Sequence, residues 1–159
     1  MQITRFLFLC FAVLGSTFTA AGADQSEADG IYALHATPLN NAPEFETLAD
    51  ETTLIILFQP DCPWCGFQFR DAEAFRRNRA PFVQLAAVSR NGSLPDLLNE
   101  LRKYQTDIPA WQSSPELLEA LGETPGTPCV YLVRPEGEVA RHRCGRQTSD
   151  ELVRFLMGR

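Results

Sequence analysis

The sequence predicts an α/β fold with a central mixed β-sheet and helices on both faces. Residues 54–58 and 81–90 are two apolar runs typical of strands that are buried on both sides. A helical pattern separates them, so these strands are expected to run parallel to each other. Near the C-terminus, a third strand turns at "RPEGE" and returns, which adds an antiparallel strand.

The N-terminal part of the chain predicts only small elements. Residues 31–37 alternate weakly between apolar and polar side chains, as an edge strand does. The stretch "NNAPEFETLADE" follows and predicts a turn and a short helix with Phe45 and Leu48 facing inward. The buried strand 54–58 comes next and ends at Pro60.

A helix from Pro63 to about Asn78 is predicted after this strand. Pro63 suits the first helical turn, where its missing N–H costs nothing. We expect Phe67, Ala74 and Phe75 on the inward face, while charged side chains occupy the outer one.

Two more helices are predicted between the second strand and the C-terminal hairpin. Ser93 fits the N-cap of a helix over residues 94–105, and Ser114 fits the N-cap of another that Gly122 closes. A terminal amphipathic helix is predicted over "SDELVRFLMG". No repeat or long linker divides the chain, so we expect one domain.

The first 23 residues have the pattern of a cleaved secretory signal. Arg5 provides a basic start, and Phe6–Gly15 is an apolar run of about ten residues, too short for a permanent membrane span. Residues 21–23 have the A-x-A form of a cleavage site. We therefore expect a mature domain of residues 24–159 in the periplasm, with an uncleaved anchor as the alternative.

Charge and cysteine content narrow the class of protein. The formal net charge is −6, and loss of the signal segment leaves 13 basic against 20 acidic residues, which argues against nucleic acid as a partner. Four cysteines remain, namely Cys62, Cys65, Cys129 and Cys144. An even number in an exported protein indicates pairing.

Cys62 and Cys65 form a C-x-x-C motif around Pro63 and Trp64. Structural zinc normally takes four ligands in short-spaced groups, which the other cysteines and the two histidines do not provide. A copper site of thiolates with His142 is chemically allowed. A purely structural disulfide across so short a loop would gain little chain entropy.

A redox centre fits the position of the motif at the start of a helix. The positive end of the helix dipole and the free N–H groups there stabilise a thiolate, which is the attacking species in disulfide exchange. Cys62 is the candidate nucleophile, and Cys65, one turn further, would resolve the mixed disulfide. Trp64 offers an apolar surface for substrate, or it serves simple packing.

Strand 54–58, "CPWC" at the start of a helix and the later "GTPCVYLV" together resemble the thioredoxin superfamily, in particular exported TlpA-like, TraF/TrbB-like and Dsb-like thiol–disulfide oxidoreductases. The likeness covers residues 42–157. It implies a thioredoxin-like fold in which a cis-proline loop faces the C-x-x-C pair; Pro128 matches that proline, and Thr127 matches the preceding residue, which binds substrate backbone. It also implies protein thiol or disulfide substrates at Cys62, a membrane redox partner and no bound cofactor.

The sequence departs from cytosolic thioredoxins at two positions. Ile56 stands where those proteins carry a buried acid, and Asp61 stands where a tryptophan is frequent. Proton exchange with Cys65 must therefore use another group. The direction of electron flow does not follow from the motif.

The second cysteine pair is expected on the C-terminal hairpin. A turn centred on "EG" places Val133 opposite Ala140 and Cys129 opposite Cys144, within reach of a disulfide, most easily in a non-hydrogen-bonded pair. We predict a structural Cys129–Cys144 disulfide. Two buried free thiols, or a pair that exchanges with the C-x-x-C cysteines, are the alternatives.

Two other functions remain open at this point. One is a thioredoxin-fold module that binds copper or acts as an assembly scaffold without redox turnover. The other is a peroxidase-like enzyme, which needs a threonine and an arginine around its reactive cysteine; Arg70 is the poorly matched candidate for the arginine.

Overall fold

The computed structural model describes residues 30–159, so the predicted signal segment lies outside the described residues. Six strands and four α-helices form one α/β unit. The strands are β1 (Ala36–Pro38), β2 (Thr53–Phe58), β3 (Gln84–Ser89), β4 (Ala110–Ser113), β5 (Cys129–Val133) and β6 (Val139–Cys144). The helices are α1 (Cys65–Asn78), α2 (Leu94–Tyr104), α3 (Pro115–Leu121) and α4 (Ser149–Leu156).

The strands form a single mixed sheet in the order β1-β4-β3-β2-β5-β6. Strands β2, β3 and β4 run parallel to one another. Strand β1 is antiparallel to β4, β5 is antiparallel to β2, and β6 is antiparallel to β5. The predicted central mixed sheet is confirmed. Within residues 30–159, no helix combines the length and apolar character needed to cross a bilayer.

Apolar layers cover both faces of the sheet, as the continuous apolar runs predict. Every residue of β2 is buried, and so are five of the six in β3. Helices α1, α2 and α4 contribute to the cluster on one face. Helix α3 and two short 3-10 helices, Ile31–Ala33 and Phe45–Leu48, contribute to the cluster on the other. Burial on both sides explains why β2 tolerates no polar side chain except Thr53.

The predicted caps explain where the middle helices begin. The Ser93 hydroxyl accepts the Asp96 N–H at 3.4 Å, and the Ser114 hydroxyl accepts the Leu117 N–H at 3.1 Å. Helix α3 ends at Gly122, whose φ of +86° lies in the left-handed region that favours glycine. The two N-caps and this helix end are confirmed.

The start and the rotation of α1 differ from the prediction. Residues 62–64 form a turn, closed by the Cys65 N–H donating to the Cys62 carbonyl at 3.2 Å, and the helix begins only at Cys65. Phe69 and Phe75 are buried, but Phe67 is 42% exposed. Successive helical residues turn by about 100°. Phe67 therefore points away from the core that Phe69 enters.

The N-terminal elements are shorter than predicted. The stretch predicted as an edge strand is a 3-10 helix, Ile31–Ala33, followed by β1. The expected short helix is the 3-10 helix Phe45–Leu48, and both of its end residues are buried. The Phe45 ring lies 5.5 Å from Tyr32 and 5.3 Å from Trp111, centroid to centroid, so this segment closes the face opposite α1.

Candidate active site

The C-x-x-C cysteines lie where the chain leaves the sheet and enters α1. Strand β2 ends at Phe58, and the loop that follows takes a positive φ of +57° at Asp61. Cys62 comes next with 6% of its surface accessible, while Cys65 has none, and the two are joined in a disulfide. This order of exposure fits a first cysteine that meets substrate and a second that resolves it.

Helix α1 presents its N-terminus to the cysteine pair. Cys65 is its first residue, and Trp64 occupies the N-cap position without a side-chain cap. The N–H groups of a first helical turn lack intrahelical acceptors, and the helix dipole is positive there. Both effects favour the thiolate over the thiol at Cys62 when the pair is reduced.

The cis-proline loop lies beside this turn because of the strand register. Strand β5 runs antiparallel to β2 with Leu57 opposite Cys129. Pro128 directly precedes Cys129, and Phe58 directly follows Leu57, so the loop that carries Pro128 meets the sheet at the end from which the C-x-x-C loop leaves. The Thr127–Pro128 peptide bond is cis. Pro128 is buried and Thr127 is half-buried, so Thr127 keeps surface for a contact.

The segment after β6 links the cis-proline loop to α1, which the sequence analysis missed. The Gly145 N–H donates to the Pro128 carbonyl at 2.9 Å. Two residues later, the Gln147 N–H donates to the side-chain oxygen of Gln68 at 2.6 Å, and the Gln68 amide donates to the Gln147 carbonyl at 3.2 Å. Gln68 is fully buried on α1. The sequence signal that could have revealed this link is Gln68 itself, a polar amide at a core-facing position of α1.

Helix α2 contacts the other side of the first turn of α1. A Cβ atom at Gly66 would lie 2.9 Å from a ring carbon of Tyr104, so the close approach of the two helices requires glycine there. The Tyr104 ring also packs on Phe69, with centroids 5.1 Å apart. Burial, followed by the nearby Glu100 carboxylate, raises the pKa of Tyr104 well above its usual range. The phenol is therefore neutral beside the site.

Two aromatic side chains stand exposed at the start of α1. Trp64 is 55% exposed and Phe67 is 42% exposed, and their ring centroids are 5.8 Å apart. Trp64 was a candidate substrate contact from the sequence, whereas Phe67 was predicted to face inward, and that prediction was wrong. The pair forms an apolar surface next to Cys62.

Cys129 and Cys144 lie directly opposite each other on β5 and β6 and are joined in a second disulfide. The hydrogen bond from Gly145 to Pro128 flanks this pair on the outer side, which makes it a non-hydrogen-bonded pair with side chains close together. The predicted register is wrong nearer the turn, where Val133 pairs with Val139 rather than with Ala140. A bulge at Ala140 restores the register towards the cysteines.

The two cysteine pairs lie on opposite faces of the sheet. Cys62 and Cys65 belong to the cluster that α1 covers, whereas Cys129 and Cys144 belong to the cluster that α3 covers. The sheet lies between the two clusters. This arrangement supports a structural role for the second pair.

His142 is not brought to the C-x-x-C cysteines. Its ring stacks on Tyr131 at 5.4 Å, on the face of the sheet that carries the second disulfide. Within the part of the chain that the structure describes, no three side chains of His, Cys, Asp or Glu are grouped closely enough to hold a metal ion. The copper site drawn from sequence, with thiolates and His142, is therefore not assembled.

The sheet order, the cysteine pair at the start of α1 and the cis-proline before β5 define a thioredoxin-like fold. No protein-family model and no curated protein matches the chain. Among solved structures, the chain is similar to MTB dsbF, with a TM-score of 0.66 and 21% identity over 80% of this chain and 96% of that one.

Two further structures support the same fold. One is a secreted Mycobacterium tuberculosis disulfide oxidoreductase homologous to E. coli DsbE, with a TM-score of 0.64 and 16% identity over 81% of this chain and 98% of that one. The other is StoA from Bacillus subtilis, with a TM-score of 0.55 and 16% identity over 67% and 82% of the respective chains. At such identities the similarity establishes the fold.

Proposed function

We propose that this protein is an exported thiol–disulfide oxidoreductase that exchanges disulfides with protein substrates in the periplasm. The observation that carries the proposal is Cys62, with 6% of its surface accessible, paired with a fully buried Cys65 at the start of α1, next to the cis-proline loop. The names of the similar structures, which include disulfide oxidoreductases, support the same chemistry.

The exchange proceeds through two substitutions at sulfur. In the reduced protein, the Cys62 thiolate attacks a substrate disulfide, whose S–S bond breaks as a mixed disulfide forms and one substrate sulfur leaves and takes up a proton. Cys65 then loses its proton and attacks Cys62 Sγ. The mixed disulfide breaks, the Cys62–Cys65 bond forms, and the second substrate sulfur leaves as a thiol. Two electrons have passed to the substrate, and the reverse sequence oxidises a substrate dithiol.

Three residues around the pair are assigned to substrate binding. Trp64 supplies an exposed apolar surface, and Thr127, which precedes the cis-proline Pro128, supplies backbone groups beside Cys62. Each turnover leaves the cysteine pair in the opposite redox state. Outside the cytosol, a membrane redox partner is the proposed route by which the pair is restored, after the signal segment 1–23 has directed export.

The first test is the reduction potential of the Cys62–Cys65 pair in the purified protein, measured by thiol quantification in glutathione or dithiothreitol buffers. A value near about −270 mV indicates a reductase, and one of about −120 to −180 mV indicates an oxidase or isomerase. In parallel, Cys65→Ser should accumulate a mixed disulfide with reduced, unfolded protein under oxidising conditions, and Cys62→Ser should not. A pair that never cycles, together with tight copper binding lost in Cys62→Ser, would contradict the proposal.

A further inference from the structure

We propose that the protein prefers substrates whose reactive cysteine is flanked by acidic side chains, and that they bind an aromatic–arginine surface beside Cys62. This surface consists of Trp64, Phe67, Arg70 and Arg146. The inference rests on the proposed function and names its substrate class.

The surface has an exposed apolar centre. Trp64 and Phe67 are two of the five large apolar side chains exposed within residues 30–159, and their rings are in contact. Exposed aromatic groups that lie together mark interaction sites more often than scattered ones do. Trp64 lies between the two cysteines, so whatever reaches Cys62 also meets this ring.

Two guanidinium groups lie over the same exposed ring. The central carbon of Arg70 is 4.6 Å from the Phe67 centroid, and that of Arg146 is 5.1 Å from it. Arg146 also pairs with Asp71, with 2.7 Å between Nε and Oδ2. Within residues 30–159, Arg70 has no carboxylate partner. The Phe67 ring therefore contacts two guanidinium groups, of which that of Arg70 has no carboxylate partner within residues 30–159 and that of Arg146 pairs with Asp71.

Positive charge continues along the edge strand on the same face. In β6, Arg143 lies opposite Val130 and Arg141 lies opposite Leu132, and both of these partners belong to the cluster that α1 covers. The Arg143 guanidinium lies 5.7 Å from the ring of Phe155 on α4. The cationic side chains therefore extend from the site along β6, although the whole chain has a net charge of −6.

The acidic groups nearby offset only part of this charge and leave Arg70 without a carboxylate partner within residues 30–159. Asp61 precedes Cys62, and its charge acts on Lys103 and Tyr104 of α2. Asp71 is occupied by Arg146. Glu151 accepts hydrogen bonds from the N-cap of α4, and its charge also acts on Arg146 and Arg143. An acidic partner is therefore the complement of this surface.

The surface also adjoins the cis-proline side of the site. Arg146 directly follows Gly145, whose N–H is bound to the Pro128 carbonyl. A substrate chain that lies along Thr127 with its sulfur at Cys62 would place neighbouring side chains over the surface. Carboxylates would meet the arginines, and an apolar side chain would meet the two rings.

The test uses three peptides that differ only next to a single cysteine, which is capped as a mixed disulfide with 2-mercaptoethanol. The cysteine is flanked by two glutamates, two glutamines or two lysines. Each second-order rate constant for reduction by the protein, reduced beforehand and freed of reductant, is divided by the corresponding rate constant with dithiothreitol, because flanking charge changes intrinsic thiol reactivity. We expect the glutamate peptide to exceed the lysine peptide about five- to twentyfold at low salt. The ratio should shrink at about 0.5 M salt.

Charge reversal assigns the preference to the surface. Arg70→Glu should reduce or invert the ratio, whereas Arg77→Glu, at an exposed arginine two turns further along α1, should keep it. Equal normalised values for the three peptides, while the reduced protein still reduces them, overturn the inference and leave the proposed function intact. An unchanged ratio in Arg70→Glu also overturns it. Failure of the Cys62–Cys65 pair to exchange in either direction, as reduced protein with uncharged bis(2-hydroxyethyl) disulfide or as oxidised protein with 2-mercaptoethanol, refutes both proposals.

Discussion

The Cys129–Cys144 disulfide provides a direct test of the physical reasoning, because its effect on stability follows from the length of the loop that it closes. In a Cys62→Ser/Cys65→Ser background, this bridge is the remaining target of a reductant within residues 30–159. The same polypeptide can then be compared with and without the bridge, so no cavity or side-chain change enters the comparison.

The two cysteines are 15 residues apart in sequence, and closing such a loop removes unfolded-state entropy worth about 3 kcal/mol at 25 °C. The corresponding figure for the Cys62–Cys65 bridge, with a separation of 3, is about 2 kcal/mol. We expect reduction to lower the free energy of unfolding by about 3 kcal/mol. With a slope of about 2 kcal/mol per M of urea, the midpoint should fall by roughly 1.5 M.

The assay is urea unfolding followed by tryptophan fluorescence, since Trp111 is fully buried in the folded protein. One sample stays oxidised, and the other is unfolded, reduced and refolded in reductant. Thiol titration of the denatured samples should give two fewer thiols in the oxidised one. Two free thiols in the oxidised sample would show that the pair is unbridged, and an unchanged midpoint after verified reduction would refute the loop-closure argument.

Three further predictions concern stability. Gln68→Leu removes two buried hydrogen bonds and leaves a main-chain donor and acceptor unpaired, so it should cost about 3 kcal/mol in urea unfolding. Thr148→Ala removes the N-cap of α4 and should cost about 1 kcal/mol at neutral pH. The Thr148 N–H, which the variant keeps, and then the Thr148 hydroxyl, which it loses, lower the pKa of Glu151, so the hydroxyl's part of the wild-type benefit should diminish as pH falls below the usual carboxyl range. Burial raises the pKa of Tyr32 and Tyr131 to about 12, so urea titrations should show stability falling as pH rises from about 10 to 12.

Local patterns were enough to predict much of the architecture. The apolar run 54–58 predicts β2 because a strand between two helical layers accepts only apolar side chains there. Ser93 and Ser114 predict two helix starts because their hydroxyls serve N–H groups three residues ahead. The spacing around the "EG" turn predicts Cys129 opposite Cys144; the register differs by one residue at Val133–Val139, and the bulge at Ala140 corrects it before the cysteines.

Tertiary contacts decided the details of the candidate site. Pro63 is compatible both with a first helical turn and with the turn before a helix, so it could not fix where α1 begins or how it is rotated. The observed start and rotation of α1 leave Phe67 exposed. The contacts of Gln68 with Gln147 and of Asp71 with Arg146 join residues 79 and 75 positions apart. The sequence by itself determined the elements and the cysteine motif, since these depend on neighbours along the chain. Packing between distant segments decided which side chains surround Cys62.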